Sequence, residues 1–252
     1  MAVRFGPQTV LEGVNVDIHR NETVAVIGES GCGKTVLLKL IVGLLKQTSG
    51  QVLFEGISIE GMMQAELTAM RRRVGFLFQQ AALFDSLTVF DNVAFGLRTK
   101  GGMPENEIRE RVVERVNEVG LPEASLAKMP ADLSGGMRKR VGLARALALD
   151  PDVMLYDEPT TGLDPIMTDV INELILSVRR RRPVTSVIVT HEMRTVQKVA
   201  DRVVMLFPRS RLLVEEPQVI YDGPPAGMAS HADERVRQFV AGDAGSRVKT
   251  EF

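Results

Sequence analysis

The chain has no tryptophan, two tyrosines and a single cysteine among its 252 residues, and neither charge dominates, with 31 Lys and Arg against 32 Asp and Glu. One cysteine excludes an internal disulfide framework, the usual staple of small secreted domains. A net charge of -1 gives no bulk attraction to a polyanion, which excludes a histone-like or ribosomal role and leaves no expectation of nucleic-acid binding. Long apolar runs are also missing. Stretches such as Leu37 to Leu45 are broken by Lys39 and fall well short of the roughly 18 residues that suggest a membrane span. No charged, then apolar, then small-residue pattern opens the chain, so no secretory signal is expected and the cytoplasm is the default compartment. What is present is 44% hydrophobic and 25% charged, a composition able to bury a globular core.

Periodicity supplies the elements. Alternation from Val10 to Ile18 predicts a half-buried antiparallel strand, turning at Asn21-Glu22, and the continuous apolar run Val24 to Ile27 predicts a strand buried on both faces. Lys34 to Leu45 has helical spacing, Gln51 to Glu55 and Ile57 to Ile59 form a hairpin about Gly56, and Val74 to Phe78 is a further strand. Glu105 to Val119 places Ile108, Val112, Val113, Val116 and Val119 on one face of an amphipathic helix and reads as part of a helical insert. Helix at Arg138 to Leu149, strand at Val153 to Tyr156, helix at Asp169 to Arg182 and strand at Ser186 to Val189 follow, with a short helix at Glu234 to Val240. Strands alternating with helices imply a layered α/β core on a mostly parallel sheet.

Gly28-Glu29-Ser30-Gly31-Cys32-Gly33-Lys34-Thr35 fits G-x-x-x-x-G-K-[ST] and lies between the buried strand and the helix, the context this motif requires. Its glycines let backbone N–H groups converge on phosphate oxygens, Lys34 reaches the terminal phosphates and the Thr35 hydroxyl is a Mg²⁺ ligand. Asp157-Glu158 ends the strand from Val153, where open α/β sheets bind ligands. Asp157 is placed to hold Mg²⁺ and Glu158 to orient the water that attacks the γ-phosphate; the alternative is that they cap the next helix.

Leu133-Ser134-Gly135-Gly136-Met137, followed by Asp157-Glu158-Pro159-Thr160-Thr161-Gly162-Leu163-Asp164, resembles the ATPase subunit of an ABC transporter over nearly the whole chain. The resemblance implies a P-loop NTPase of ABC ATPase fold: a RecA-like core with antiparallel β and helical subdomains, one domain over residues 1–241, the helical part at about 84–145 and a mobile tail at 242–252. It implies ATP and Mg²⁺ as cofactors, Gln79 as the glutamine sensing Mg²⁺ and the membrane partner, Ser134, Gly135 and Gly136 as the signature, Asp164 as the inter-subunit aspartate and His191 as the switch histidine. Phe5 matches the aromatic that stacks on adenine. Two copies are then expected to meet head to tail as a homodimer, with ATP between each phosphate loop and the other copy's signature. A histidine such as His191 at a strand end, taken alone, is more often merely packed or solvated; the surrounding motifs give it the catalytic reading. The basic runs Arg71 to Arg73 and Arg179 to Arg182 read as helix ends and solvated faces.

Gly75 to Val89, containing Gln79-Gln80-Ala81-Ala82-Leu83-Phe84-Asp85-Ser86-Leu87-Thr88, and a signature ending in Met137 where ABC signatures usually have glutamine, resemble the ATPases of Mla and MCE-type phospholipid transporters. That group implies phospholipid as cargo, an integral permease that inserts a short helix near Gln79, STAS-domain and MCE-domain partners, and a peripheral position on the cytoplasmic face of the bacterial inner membrane. Val236, Phe239 and Val240 share a helical face, read either as a contact with a neighbouring subunit or as packing on their own domain. Resembling proteins carry more residues before the position of Phe5, which leaves open whether the chain starts upstream of Met1. An ABC importer for amino acids or metals and a soluble ABC ATPase are the alternatives; a GTPase is disfavoured because no Asn-Lys-x-Asp occurs. Cys32 reads foremost as a small loop residue, with redox sensing as the alternative because a helix N-terminus lowers a thiol pKa; alkylation is expected to slow hydrolysis, with ATP protecting.

Overall fold

The computed structural model describes residues 1–243; the expected mobile tail therefore lies, from residue 244 onward, outside the described residues. In chain order the elements begin with β1 (Val3–Phe5), β2 (Gln8–Leu11), β3 (Thr23–Gly28), α1 (Lys34–Ile41), β4 (Leu53–Phe54), β5 (Ile57–Ser58) and α2 (Gln64–Arg72). They continue with β6 (Val74–Leu77), α3 (Val89–Lys100), α4 (Glu105–Glu118), α5 (Gly135–Leu147), β7 (Val153–Asp157) and α6 (Pro165–Arg181). Last come β8 (Thr185–Val189), α7 (Met193–Val199), β9 (Arg202–Leu206), β10 (Val219–Gly223) and α8 (Glu234–Ala241). The chain divides into two compact units, Met1–Met62 with the chain from Val189 onward, and Met63–Ile188.

In the first unit β9 is flanked by β3, parallel to it, and β10, antiparallel to it. All six residues of β3 are buried, as expected of a strand covered on both faces. Ala25, Ile27, Val196, Val203, Met205, Ile220, Met228 and Val236 form one core cluster, with Phe239 and Val240 packed against it. The apolar face of α8 therefore packs on its own unit and is not a free docking face. The strand expected over Val10 to Ile18 is shorter: β2 ends at Leu11, and Gly13 at φ +63° turns the chain out of the ladder. Val14 is still buried, so the alternation reports side-chain burial but not backbone pairing. The first helix likewise stops at Ile41, because Gly43 adopts φ +63° and the N–H groups of Leu44 and Leu45 both turn back to the Lys39 carbonyl.

In the second unit β7 lies between β6 and β8, parallel to β6 in the register Val74 to Val153 through Leu77 to Tyr156. α3, not anticipated from periodicity, starts at Thr88, whose hydroxyl accepts from the Asp91 N–H while donating to the Asp91 carboxylate. That bond and Arg98 hold the Asp91 carboxyl below its ordinary range. α6 starts earlier than its apolar pattern suggests, because Asp164 caps it and Pro165 occupies the first position. The basic runs do sit at helix ends: Arg71 and Arg72 close α2, and Arg179 to Arg181 close α6.

Two of these helix-end arginines enter a charge network. Arg115, only 3% exposed, donates to Glu118 at 2.6 Å and to Asp150 at 2.8 Å, and Arg181 and Arg182 each approach the Glu118 carboxylate at 3.6 Å. Burial alone would raise the Asp150 carboxyl, yet Arg115, Arg182 and Arg111 hold it below its usual value. Glu118→Ala strips a buried arginine of its buried carboxylate partner, leaving Asp150 as the remaining strong one, and is expected to cost about 3 kcal/mol, measured as a lowered urea midpoint at neutral pH. An unchanged midpoint would show that Arg115 does not depend on that partner.

Candidate functional site: the phosphate loop and the strand-end carboxylates

In the first unit the loop after β3 is shaped by positions that only glycine fills. A Cβ on Gly28, at φ +144°, would lie 2.2 Å from the Leu206 carbonyl oxygen, and one on Gly33, at φ +100°, would lie 2.5 Å from Leu11 Cδ2. Gly33 is also the N-cap of α1 and supplies no side-chain cap, so the first turn presents its N–H groups outward with the positive end of the helix dipole. Lys34 is buried and folds back along the loop, its ammonium donating to the Gly28 carbonyl at 2.7 Å and the Glu29 carbonyl at 2.9 Å. Thr35 follows within α1. Ser30 and Gly31 form the outer turn, where Gly31 takes φ +81°.

Gln218, which periodicity did not single out, fixes this loop from behind. It is 2% exposed, its Nε2 donates to the Val10 carbonyl at 2.9 Å and the Cys32 carbonyl at 3.1 Å, and its Oε1 accepts from the Glu12 N–H at 2.8 Å. Because the peptide is trans, a Cys32 carbonyl turned toward Gln218 sends the Gly33 N–H the opposite way. Arg211 pairs with the Glu29 carboxylate at 2.6 Å. Cys32 is fully buried, and burial pushes its thiol above its ordinary pKa, outweighing Lys34, which acts in the other direction. This rules against the activated-thiol alternative and agrees with Cys32 as a small loop residue: the helix N-terminus does not compensate for lost solvation. Phe5 stands 48% exposed on β1, a face free to stack, and His191 is exposed immediately after β8.

In the second unit β7 carries Asp157 at its end, buried, and Glu158 just beyond it with φ +48°. The Glu158 carboxylate accepts from the Thr161 hydroxyl at 3.0 Å. The cap of the following helix is Asp164, whose Oδ1 accepts from the Ile166 and Met167 N–H groups, both at 2.9 Å. Asp157 and Glu158 are therefore not the capping acids of α6. Ser134 caps α5 in the same way, accepting from the Met137 N–H at 3.3 Å, and Gly136 is backed by Met167, whose Cε would lie 2.6 Å from an added Cβ.

The structure brings Gln79, Lys139 and Glu158 together. Lys139, from the buried face of α5, donates to the main-chain carbonyls of Gln79 and of Glu158, the latter at 2.9 Å. Burial lowers its ammonium to about 8, against the raising influence of the Glu158 and Asp157 carboxylates. A cleft of about 500 Å³ opens there, lined by Gln79, Leu83, Gly135, Arg138, Lys139 and Thr161 among others. Lys139 and Gln218 escaped sequence reasoning; the one available signal was a lysine on the helical face it shares with Leu143 and Leu147.

Known proteins supply the context for this geometry. The family model described as ABC transporter matches residues 11–161, more than half of the chain. The chain is 39% identical over 252 residues to the intermembrane phospholipid transport system ATP-binding protein MlaF of Haemophilus influenzae, covering 100% of this chain and 92% of that protein. The Escherichia coli K12 MlaF is 36% identical over 98% of this chain and 88% of its own length. A protein named probable ribonucleotide transport ATP-binding protein mkl, from Mycobacterium leprae, is 40% identical over 94% of this chain, which spans 66% of its length. Among solved structures, the dimeric ATP-binding cassette MJ0796 in a post-hydrolysis state with ADP and Pi superposes with a TM-score of 0.78 at 32% identity, covering 89% of this chain and 95% of that one. The glycine-shaped phosphate loop, the strand-end carboxylates and these likenesses converge: the chain belongs to the ABC transporter family, as one of its ATP-hydrolysing subunits.

Proposed function

We propose that this ATPase powers phospholipid movement between two membranes through a partner permease, and that residues 1–241 act as one ATPase domain with its helical part at about 84–145. The observation that carries this reading is the likeness to a phospholipid-transport ATP-binding protein over all of this chain. Lys34 and the N–H groups of Gly28 to Gly33 hold the β- and γ-phosphates, with Glu29, Ser30 and Cys32 as loop residues, and Phe5 stacks on adenine. Thr35, Gln79 and Asp157 offer hard oxygen donors with one carboxylate, a set that fits Mg²⁺ held largely by nucleotide phosphates and water. In keeping with that, no three His, Cys, Asp or Glu among the described residues form a metal cage. When bound, the ion neutralises charge developing on the phosphates. Glu158 orients and deprotonates the attacking water, and His191 contacts the γ-phosphate side of the reaction.

In the same reading Ser134, Gly135 and Gly136 complete the nucleotide site of a second copy, and Asp164 lies at that contact, where Ile166 beside it is 77% exposed. A permease helix seats in the open aromatic groove lined by Phe76, Phe78, Phe84, Phe95, Arg145 and Leu149, in which Phe84 and Phe95 are both exposed. No helix among the described residues is long and apolar enough to cross a membrane; in this reading the subunit is peripheral, at the cytoplasmic face of the inner membrane, held there by the permease. STAS-domain and MCE-domain proteins are the further partners of this assembly. The mycobacterial likeness supports a second reading, ribonucleotide as cargo.

Affinity purification of tagged Glu158→Gln protein from detergent-solubilised membranes, with mass spectrometry of proteins and lipids, tests the cargo. A permease, an MCE-domain protein and bound phospholipid are expected; a permease with a solute-binding protein and no lipid overturns the lipid assignment. Glu158→Gln is expected to bind ATP normally, accumulate as a dimer and lose kcat by about 100-fold or more, since only the water-activating group is removed. Lys34→Ala is expected to weaken ATP binding itself by about 10- to 100-fold in a nucleotide titration, because a charged hydrogen-bond donor to the phosphates is gone. Native protein incubated with iodoacetamide is expected to stay unmodified at Cys32 in intact mass measurement and to label fully once unfolded; rapid native labelling would contradict the buried thiol.

A further inference from the structure

We propose that Lys139 is a positioning residue that sets the Glu158 carboxylate and the loop after β6 in one fixed arrangement, with Arg145 as the second anchor on the same helix. The proposal rests on the reading of Glu158 as the water-orienting group. Leu77 and Tyr156 are register partners in the parallel strands β6 and β7, so Gln79 and Glu158 lie just beyond the exits of adjacent strands. Lys139, 5% exposed, bridges those exits by donating to both main-chain carbonyls. A charged donor buried from water makes each of these bonds stronger than a neutral pair.

Backbone strain shows why such a holder is needed. Glu158 at φ +48°, Ala81 at φ +60° and Ala82 at φ +47° all occupy the left-handed region without being glycine. Such residues persist only where their surroundings over-determine them. The Glu158 carbonyl is held by Lys139 and its carboxylate by Thr161, so the side chain that meets water is fixed at both ends. Arg145 holds the other two, donating to the Ala81 carbonyl at 2.6 Å and the Ala82 carbonyl at 2.7 Å. Between the cations, Gly142 lets α5 approach this loop; a Cβ there would lie 2.9 Å from Leu77 Cδ1 and 3.0 Å from Ala81 Cβ. The Arg145 guanidinium also lies 5.7 Å from the centroid of Phe84, a wall of the aromatic groove. Groove, loop and hydrolytic carboxylate are thereby joined through one helix face, and the helix starts at the Ser134-Gly135-Gly136 turn.

Steady-state ATPase kinetics of Lys139→Met, Lys139→Arg and Glu158→Gln, beside thermal melts of each, test the assignment. Lys139→Met keeps the apolar stem and loses every donor; kcat is expected to fall about 10-fold or more while KM for ATP stays within about 3-fold, as for a misplaced reacting group. Lys139→Arg restores donors and is expected to recover most of that loss. Unchanged kcat in Lys139→Met, or kcat and KM failing together with no recovery in Lys139→Arg, overturns the proposal in favour of a purely structural lysine. If Lys139→Met does not fold, Lys139→Gln carries the test: its shorter amide reaches one carbonyl, so an intermediate kcat at unchanged KM is expected, and wild-type kcat refutes the role. Wild-type turnover in Glu158→Gln removes the underlying reading and this proposal with it, whereas an inactive Glu158→Gln beside a fully active Lys139→Met removes the role of Lys139 alone.

Discussion

A loop that aims its backbone N–H groups at an anion must find other partners for its carbonyls, and that constraint organises both units of this protein. In the phosphate loop, Lys34 takes the carbonyls of Gly28 and Glu29, and Gln218 takes that of Cys32. Each carbonyl so engaged is turned away from the face where the loop's N–H groups converge, which would otherwise carry partial negative charge. In the loop after β6 main-chain carbonyls are likewise taken by basic side chains: Lys139 serves Gln79, and Arg145 serves Ala81 and Ala82. Lys139 and Arg145 act here as internal scaffolding, their donors spent on peptide carbonyls.

The legibility of each part in the sequence follows from how local its chemistry is. The phosphate loop compresses strand end, glycine turns, lysine and hydroxyl into consecutive residues, so its position and form could be read directly. The carboxylate pair was legible for a similar reason, since a buried strand announces where its C-terminal end falls. Gln218 and Lys139 were not legible. Gln218 is 186 residues from Cys32, Lys139 is 60 residues from Gln79, and Arg145 is 64 residues from Ala81, and in each case the partner is a main-chain carbonyl, which carries no side-chain signature.

Element boundaries failed where a single backbone position overruled an apolar pattern. Gly13 and Gly43, each at positive φ, end a strand and a helix that hydrophobic spacing would extend; after Gly13 the apolar Val14 is still buried, whereas after Gly43 Leu44 is left exposed. Asp164 and Pro165 begin a helix before its apolar face becomes periodic. Cys32 shows how burial decides between two electrostatic readings: proximity to a helix N-terminus left an acidic thiol open, but complete burial removes the solvent that an anion needs and leaves the small loop residue.

β10 adds a consequence for how copies of the chain can associate. It ends its sheet, paired on one side with β9, and an open strand edge of this kind is a template for stacking against another chain. This edge is blunted by Pro217 and Pro224 on either side, by a register shift between Val219 and Tyr221, and by Asp222, which pairs with Arg202. Growth strand upon strand along this edge is thereby disfavoured, whatever the concentration of the chain.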